Sequence, residues 1–274
     1  MNKYHKIIQA GNGIASNDWR ELWQRRELLR VLVRRDLQVR YKNTALGVLW
    51  VILQPLLATL IFTLVFAKVL RFGGSGDNYL ISTMIGFVFW QFFSGSLQAA
   101  TASIYEQIAL VKKIYFPRLY LPLTIILRGL FDFSISAILL LLMIIFNKIS
   151  LSVIGLTAFI LVTLAMAIFT SGLSFIFASL NARYRDFRHL APFVVQLWLY
   201  ATPVFYPPEI LTGKLAALLQ INPVAVFLNL VRQAVFTQNF AWPVYLIWLL
   251  ISIVVWWIGF LVFKKMETEI VDWT

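Results

Sequence analysis

The chain has 274 residues, of which 60% are hydrophobic and only 13% are charged, and its mean hydropathy is +0.79. So few charges could not cover so much apolar surface in water, which excludes a soluble globular domain. The formal net charge of +12 on such a chain indicates membrane topology and contact with anionic lipid, and argues against nucleic acid as a partner. The absence of cysteine excludes disulfides, thiolate metal sites and a cysteine nucleophile.

The first predicted element is an amphipathic helix over residues 19–42, within a cytoplasmic N-terminal segment that covers 1–44. Asp18 can cap this helix, and Glu21 follows three residues later. A polar stripe recurs every four residues and consists of Arg26, Arg30, Arg34, Gln38 and Lys42. Such a helix lies in the membrane interface, with its basic side toward headgroups or a cytoplasmic partner. An ordinary positive-inside anchor for the first span is the alternative explanation of the same charges.

Seven uncharged or nearly uncharged runs follow, and a membrane-spanning helix needs only about 20 residues. They cover 45–67, 79–103, 119–147, 149–180, 190–208, 215–231 and 240–263. Basic residues concentrate before residue 45, near 104–118, within 181–189 and in the tail, so both termini are predicted to be cytoplasmic. Two cytoplasmic termini require an even number of crossings, and therefore one of the runs does not span.

Helix-breaking residues identify the exception. Pro203, Pro207 and Pro208 end the helix that begins near Leu190, and Gly213 and the Asn222-Pro223 pair interrupt the run that follows it. We therefore predict an all-α integral membrane protein with six transmembrane helices, the fifth near 190–206 and the sixth near 240–263. Short re-entrant helices are predicted on the outer side between these two spans, where buried non-helical backbone is tolerated. The transmembrane domain then covers 45–263, and a cytoplasmic tail covers 264–274.

Two opposite charges lie inside the third run. Arg128 and Asp132 are four residues apart, so they can pair on one helix face, which lowers the cost of holding either group in the bilayer. Intramembrane charges indicate function by default, but here we favour a structural pair that faces the bundle or lies near the cytoplasmic headgroups.

Aromatic residues make up 16% of the chain and form two possible groups, an interfacial belt and the lining of a channel. Aromatic faces can contact the C–H groups of sugars without rigid hydrogen bonds. The candidates for a channel lining are Trp50, Trp90, Trp198, Tyr200, Phe205 and Tyr206.

Four segments resemble the membrane subunit of bacterial ATP-binding-cassette polysaccharide exporters, a family that includes O-antigen export permeases (Wzm type), capsule exporters and the wall teichoic acid permease. They are "LVRRDLQVRYKNTALGVLWVILQPLL" (32–57), "LVKKIYFPRLYLP" (110–122), "NARYRDFRHL" (181–190) and "TPVFYPPE" (202–209). The resemblance implies a homodimer in the cytoplasmic (inner) membrane, with two ATPase subunits beneath it, that moves a polyprenyl-diphosphate-linked glycan outward.

The resemblance also implies that 110–122 is the helix that couples the permease to its ATPase. Its candidate coupling residues are Lys112, Lys113, Tyr115, Phe116 and Arg118. The chain contains no G-x-x-x-x-G-K-[ST] phosphate loop, so we expect no cofactor on this chain and place ATP and Mg on the partner subunit.

A lipid-linked diphosphate at the inner leaflet requires fixed positive charge, and arginine presents paired donors to phosphate oxygens. We therefore expect Arg40, Lys42 and Asn43, where the interfacial helix meets the first span, to receive the anionic headgroup. An ABC permease for teichoic acid, capsule, another lipid or a drug is the alternative. A membrane-embedded polyprenyl-phosphate enzyme is disfavoured, because it needs clustered carboxylates or histidines and the only histidines are His5 and His189.

Overall fold

The computed structural model describes residues 24–42, 44, 46–69, 77–109, 116–150, 152–184, 186–206 and 213–267, and all regular structure in these ranges is helical. The helices are α1 (Arg26–Lys42), α2 (Leu49–Thr63, continued by a π-helical segment Leu64–Val69), α3 (Asp77–Glu106), α4 (Tyr120–Phe146), α5 (Val153–Arg183), α6 (Phe187–Tyr200), α7 (Lys214–Ile221), α8 (Pro223–Phe236) and α9 (Trp242–Glu267). The predicted all-α membrane fold is confirmed.

Five helical stretches in the described part of the chain are long and apolar enough to cross a membrane. They are Leu49–Phe66, Tyr79–Glu106, Tyr120–Phe146, Val153–Arg183 and Trp242–Glu267. The fifth predicted span, near 190–206, overlaps the 14-residue helix α6, which is about 21 Å long and therefore shorter than a hydrocarbon core of about 30 Å. The helix ends because Pro203 lies just beyond its cap, and the six-span count stays a prediction.

Helix α3 is the centre of the bundle and packs against α2, α4, α5, α6 and α8. Its aromatic side chains interlock with those of its neighbours: the Phe89 ring lies 5.0 Å from Phe133 of α4 and 5.2 Å from Phe159 of α5. One turn further along, Phe93 stacks on Phe169 at 6.2 Å between ring centroids. Because lipid is as apolar as these side chains, their close packing rather than water exclusion holds the helices together.

Helices α5 and α9 run parallel and approach closely where glycines meet. A Cβ atom on Gly259 would lie 2.1 Å from the carbonyl oxygen of Gly172, and a Cβ atom on Gly172 would lie 2.5 Å from the Cα atom of Trp256. Small residues allow such backbone contact between membrane helices. Nearer the N-terminal ends of both helices, the Tyr245 hydroxyl donates to the carbonyl of Leu161 at 3.3 Å.

Asn222 joins the broken helices between α6 and α9. Its Oδ1 atom accepts from the backbone N–H groups at the start of α8 (Val224, 3.1 Å, and Ala225, 3.4 Å) and from the Trp198 indole at 2.9 Å. Its Nδ2 atom donates to the carbonyl of Ala201 at the end of α6 at 2.9 Å. One side chain thus satisfies backbone groups at the end of one helix and the start of another.

This junction lies at the middle of the bundle. The Trp198 ring packs 5.0 Å from Phe93 and 6.4 Å from Phe169, and both phenylalanines are close to the midpoints of their long helices. Helices α7 and α8 therefore meet near the middle of the bundle, which is the arrangement expected of the predicted re-entrant region. The position of this region in a bilayer stays a prediction.

The segment that follows α6 is held against α3 by Arg232 of α8, whose residue surface is only 7% exposed. Its guanidinium donates to the carbonyls of Pro203 (2.7 Å), Val204 (3.2 Å) and Ser82 (3.0 Å). The charge of this buried arginine is thus met by carbonyl dipoles, two from the non-helical backbone after α6 and one from α3.

Candidate functional site

One side of helix α1 packs against the bundle over several successive turns. Leu32 is buried in a cluster with Phe116, before α4, and Phe263 of α9. One turn later, Arg35 donates to Gln107, just beyond the end of α3, at 2.7 Å, and to Asp36 at 2.9 Å. The predicted polar stripe on the other side is confirmed as exposed; its members are Arg26, Arg30, Arg34, Gln38 and Lys42.

The charged residues of α4 pair with α1. The Asp132 carboxylate lies 3.3 Å from Arg40 (Nη2 to Oδ2) and accepts a hydrogen bond from the Tyr41 hydroxyl. The Arg128 guanidinium lies 4.0 Å from the Asp36 carboxylate. Within the described residues, both ion pairs run between helices, and the pairing of Arg128 with Asp132 stays a prediction. The sequence spacing missed this because α1 crosses α4 and brings its own charges to that face.

Tyr41 reinforces this contact. Burial, followed by the hydrogen bond and the negative charge of Asp132, raises the pKa of Tyr41 above its ordinary value. The hydroxyl therefore keeps its proton at physiological pH and remains a donor to the carboxylate.

A cavity of about 240 Å³ lies between α1, α2, α3 and α4. Its wall contains Arg40 of α1, Arg128 and Asp132 of α4, and an amide pair in which Gln91 donates to Gln54 at 2.7 Å. Polar side chains on membrane-spanning helices are costly in lipid, so they usually face the bundle interior or a functional cavity. Sequence reasoning missed both glutamines and Tyr41, although a glutamine within each of two apolar runs was a visible signal.

Of the residues expected to receive a headgroup, Arg40 lines this cavity and Lys42 does not. Lys42 is exposed and lies about 200° around the helix from Arg40, because two residues advance the helix by about 100° each. Asn43 lies outside the described residues. The assignment of a headgroup to these residues stays a prediction.

The coupling segment is described only at its end, because Lys112, Lys113 and Tyr115 lie outside the described residues. Phe116 is 5% exposed and packs within the cluster that contains Leu32. The Arg118 backbone N–H donates to the Glu267 carboxylate at 2.9 Å, and its guanidinium donates to the Glu267 carbonyl at 2.7 Å. These two residues thus fix the segment to α1 and α9, and neither is a free contact surface in this chain.

The channel aromatics divide into buried and accessible groups. Trp90 is 7% exposed and packs against Phe93 in the core, so its role as channel lining stays a prediction. Trp50 is 47% exposed and Tyr200 is 66% exposed, so both are accessible. The Trp198 indole N–H donates to Asn222, so this side chain connects α6 to the start of α8 in addition to offering an aromatic face.

The last two aromatics lie in the segment after α6. Phe205 stacks on Phe62 of α2 with 4.0 Å between ring centroids and contacts Phe87 of α3 at 4.9 Å. The Tyr206 hydroxyl donates to the carbonyl of Tyr200 at 3.2 Å. These rings are half-buried, and a role in a channel stays a prediction for them.

Comparisons with known proteins give consistent matches over this region. The family model described as "ABC-2 type transporter" matches residues 27–236, which include α1, the cavity and the Asn222 junction. The O-antigen export system permease protein RfbA of Myxococcus xanthus is 32% identical over 232 residues, which are 80% of this chain and 84% of that protein. Two proteins of the same name from Klebsiella pneumoniae are 30% identical (88% of this chain, 92% of the relative) and 33% identical (73% and 76%).

Proposed function

Because the chain belongs to the ABC-2 type transporter family, we propose that it is the permease subunit that exports an O-antigen-type polysaccharide across the cytoplasmic membrane. The substrate is a polyprenyl-diphosphate-linked glycan, and a separate ATP-binding-cassette subunit hydrolyses ATP with Mg. The observation that carries this proposal is the similarity, over as much as 92% of a relative's length, to proteins named O-antigen export permeases.

The arrangement of the chain supports the proposal at both ends of the transport path. An interfacial helix with an exposed basic stripe suits contact with anionic headgroups at the inner leaflet. On the other half of the bundle, a broken helix with accessible and half-buried aromatics suits passage of a sugar chain. Two copies of the chain would face each other to enclose that path, with both termini in the cytoplasm.

The proposal is tested by deleting the gene for this chain in its own host. We expect the surface to lose its glycan while the lipid-linked glycan accumulates on the cytoplasmic face, and a plasmid copy to restore export. The chemical identity of the accumulated glycan separates O-antigen from teichoic acid and capsule. An unchanged surface glycan would overturn the proposal. A block in glycan assembly without accumulation would instead favour the membrane-embedded enzyme.

A further inference from the structure

The wall of the cavity between α1, α2, α3 and α4 contains an arginine, Arg128, that makes one long ion pair and no hydrogen bond within the described residues. The Arg128 side chain is only 18% exposed, and its ion pair with Asp36 is as long as 4.0 Å. A guanidinium has five N–H donors. Holding it out of water without acceptors is costly, so such a group indicates a missing acceptor.

A second group in the same wall shows the same feature. Ser96 of α3 is 3% exposed, and its hydroxyl has no hydrogen-bond partner within the part of the chain that the structure describes. It lies directly against α4 beside Arg128, since a Cβ atom on Gly129 would come within 2.2 Å of the Ser96 hydroxyl oxygen. Native proteins leave few buried polar groups unpaired, and each one requires an explanation.

We propose that this cavity binds a phosphate or diphosphate group, with Arg128 as its main receiving residue, Arg40 beside it and Ser96 as a further donor. The assignment of the group to a lipid carrier rests on the function proposed above. An anion that only accepts hydrogen bonds suits Arg128 and Ser96, which make no hydrogen bond within the described residues, and arginine presents forked donors that suit phosphate oxygens.

The size of the cavity limits what enters it. A volume of about 240 Å³ is below the range of roughly 300–1,000 Å³ that holds drug-sized ligands. The cavity therefore takes a compact headgroup, while a lipid tail and a sugar chain remain outside it. The amide pair of Gln54 and Gln91 in the same wall offers neutral hydrogen-bonding groups to whatever is attached to the phosphate.

Asp132 has a distinct role in this cavity. Its carboxylate holds Arg40 at 3.3 Å and faces the same cavity, so it supplies the negative charge that the ligand would otherwise bring. A bound phosphate competes with Asp132 for Arg40 and is repelled by the carboxylate. Removal of this charge is therefore expected to strengthen binding, which is the opposite of what loss of a merely structural ion pair would do.

Binding is measured with the full chain in nanodiscs of neutral phosphatidylcholine, with radiolabelled farnesyl diphosphate as the probe. Inorganic pyrophosphate and farnesol serve as competitors. Tighter binding of farnesyl diphosphate than of pyrophosphate identifies a lipid headgroup as the source, and equal affinities identify a free phosphate compound. Absence of binding by both, or equally effective competition by farnesol, overturns the proposal.

Variants assign the site to its residues. Arg128→Gln should weaken binding about ten- to hundredfold, as expected for loss of charged hydrogen bonds, and Arg128→Lys should lose less because it keeps the charge. Asp132→Asn should strengthen binding about tenfold. Arg34→Gln removes the same charge from the exposed stripe and should change affinity less than about twofold, a negligible free energy.

Folding defects do not obscure the result. If Arg128→Gln fails to give a monodisperse protein, Asp132→Asn and Ser96→Ala carry the test, the latter with an expected loss of about fivefold, typical of one neutral hydrogen bond. Weaker binding in Asp132→Asn, or unchanged binding in Ser96→Ala together with Arg128→Lys, overturns the assignment.

The two proposals fail separately. If deletion of the gene abolishes glycan export but diphosphate binding is insensitive to Arg128 and Asp132, the site is wrong and the proposed function stands. If diphosphate binds as expected but deletion leaves the surface glycan unchanged, the site stands and the exporter assignment is wrong.

Discussion

The junction at Asn222 gives the sharpest stability prediction. Asn222→Ala removes the cap of α8, which is worth about 1 kcal/mol. It also removes three hydrogen bonds, with the Trp198 indole, the Ala201 carbonyl and the Thr202 hydroxyl. Each contributes about 0.6 kcal/mol to stability, the typical value for a hydrogen bond between membrane helices. We therefore expect a loss of about 3 kcal/mol in the free energy of unfolding, with the junction itself affected first.

The assay is unfolding of the purified protein by sodium dodecyl sulfate in mixed micelles, followed by near-ultraviolet circular dichroism. Asn222→Ser should recover part of the loss, because serine remains a good helix cap. Asn147→Ala is the matched control, since that side chain makes one bond, to Met143 at 2.8 Å, at the end of α4. A loss at Asn222 no larger than that at Asn147 would refute the reasoning that one side chain joins the two helices.

Three further predictions concern packing, topology and coupling. Gly259→Val should separate α5 from α9 and lower the free energy of unfolding by about 1–3 kcal/mol or more in the same assay. Gly95→Val is the control and should cost much less, because a Cβ atom there meets nothing within 4 Å. Equal losses in the two variants would contradict the close contact between α5 and α9. A cysteine at exposed Gln238, the only one in the chain, should react with an impermeant reagent from the outer side alone, and labelling from the cytoplasm would contradict the predicted topology. Arg118→Ala removes the hydrogen bond to the Glu267 carbonyl, and Glu267→Ala removes the acceptor of the Arg118 backbone N–H; each should reduce coupling to the ATPase without impairing membrane insertion, and glycan export that is normal in both would remove this role.

The sequence predicted the long helices well because an apolar run of sufficient length has few alternatives in a membrane. It was less informative where the backbone stops being helical. Pro203 showed that a break follows α6, but it did not show how deep the break lies, because that depth is fixed by Trp198 against Phe93 and Phe169. Those contacts join residues far apart in sequence.

The candidate site was predicted in part for the same reason. The charges at Arg40, Arg128 and Asp132 were visible as polar groups beside or within apolar runs, and all three line the cavity. Their partners were not visible, since pairing across α1 and α4 depends on how the two helices cross. The burial of Trp90 was not predicted, because an aromatic side chain has the same sequence signature in a core and in a channel.

The way in which α1 is attached has a consequence for exchanging parts between related exporters. Its inner side depends on Phe116, Gln107, Arg128 and Asp132, which belong to three separate stretches of the chain. A chimaera that receives α1 alone from a relative would combine it with unmatched partners, whereas the exposed stripe could be replaced residue by residue. Natural variation should accordingly accumulate on the stripe, while substitutions on the inner side require compensating changes in the bundle.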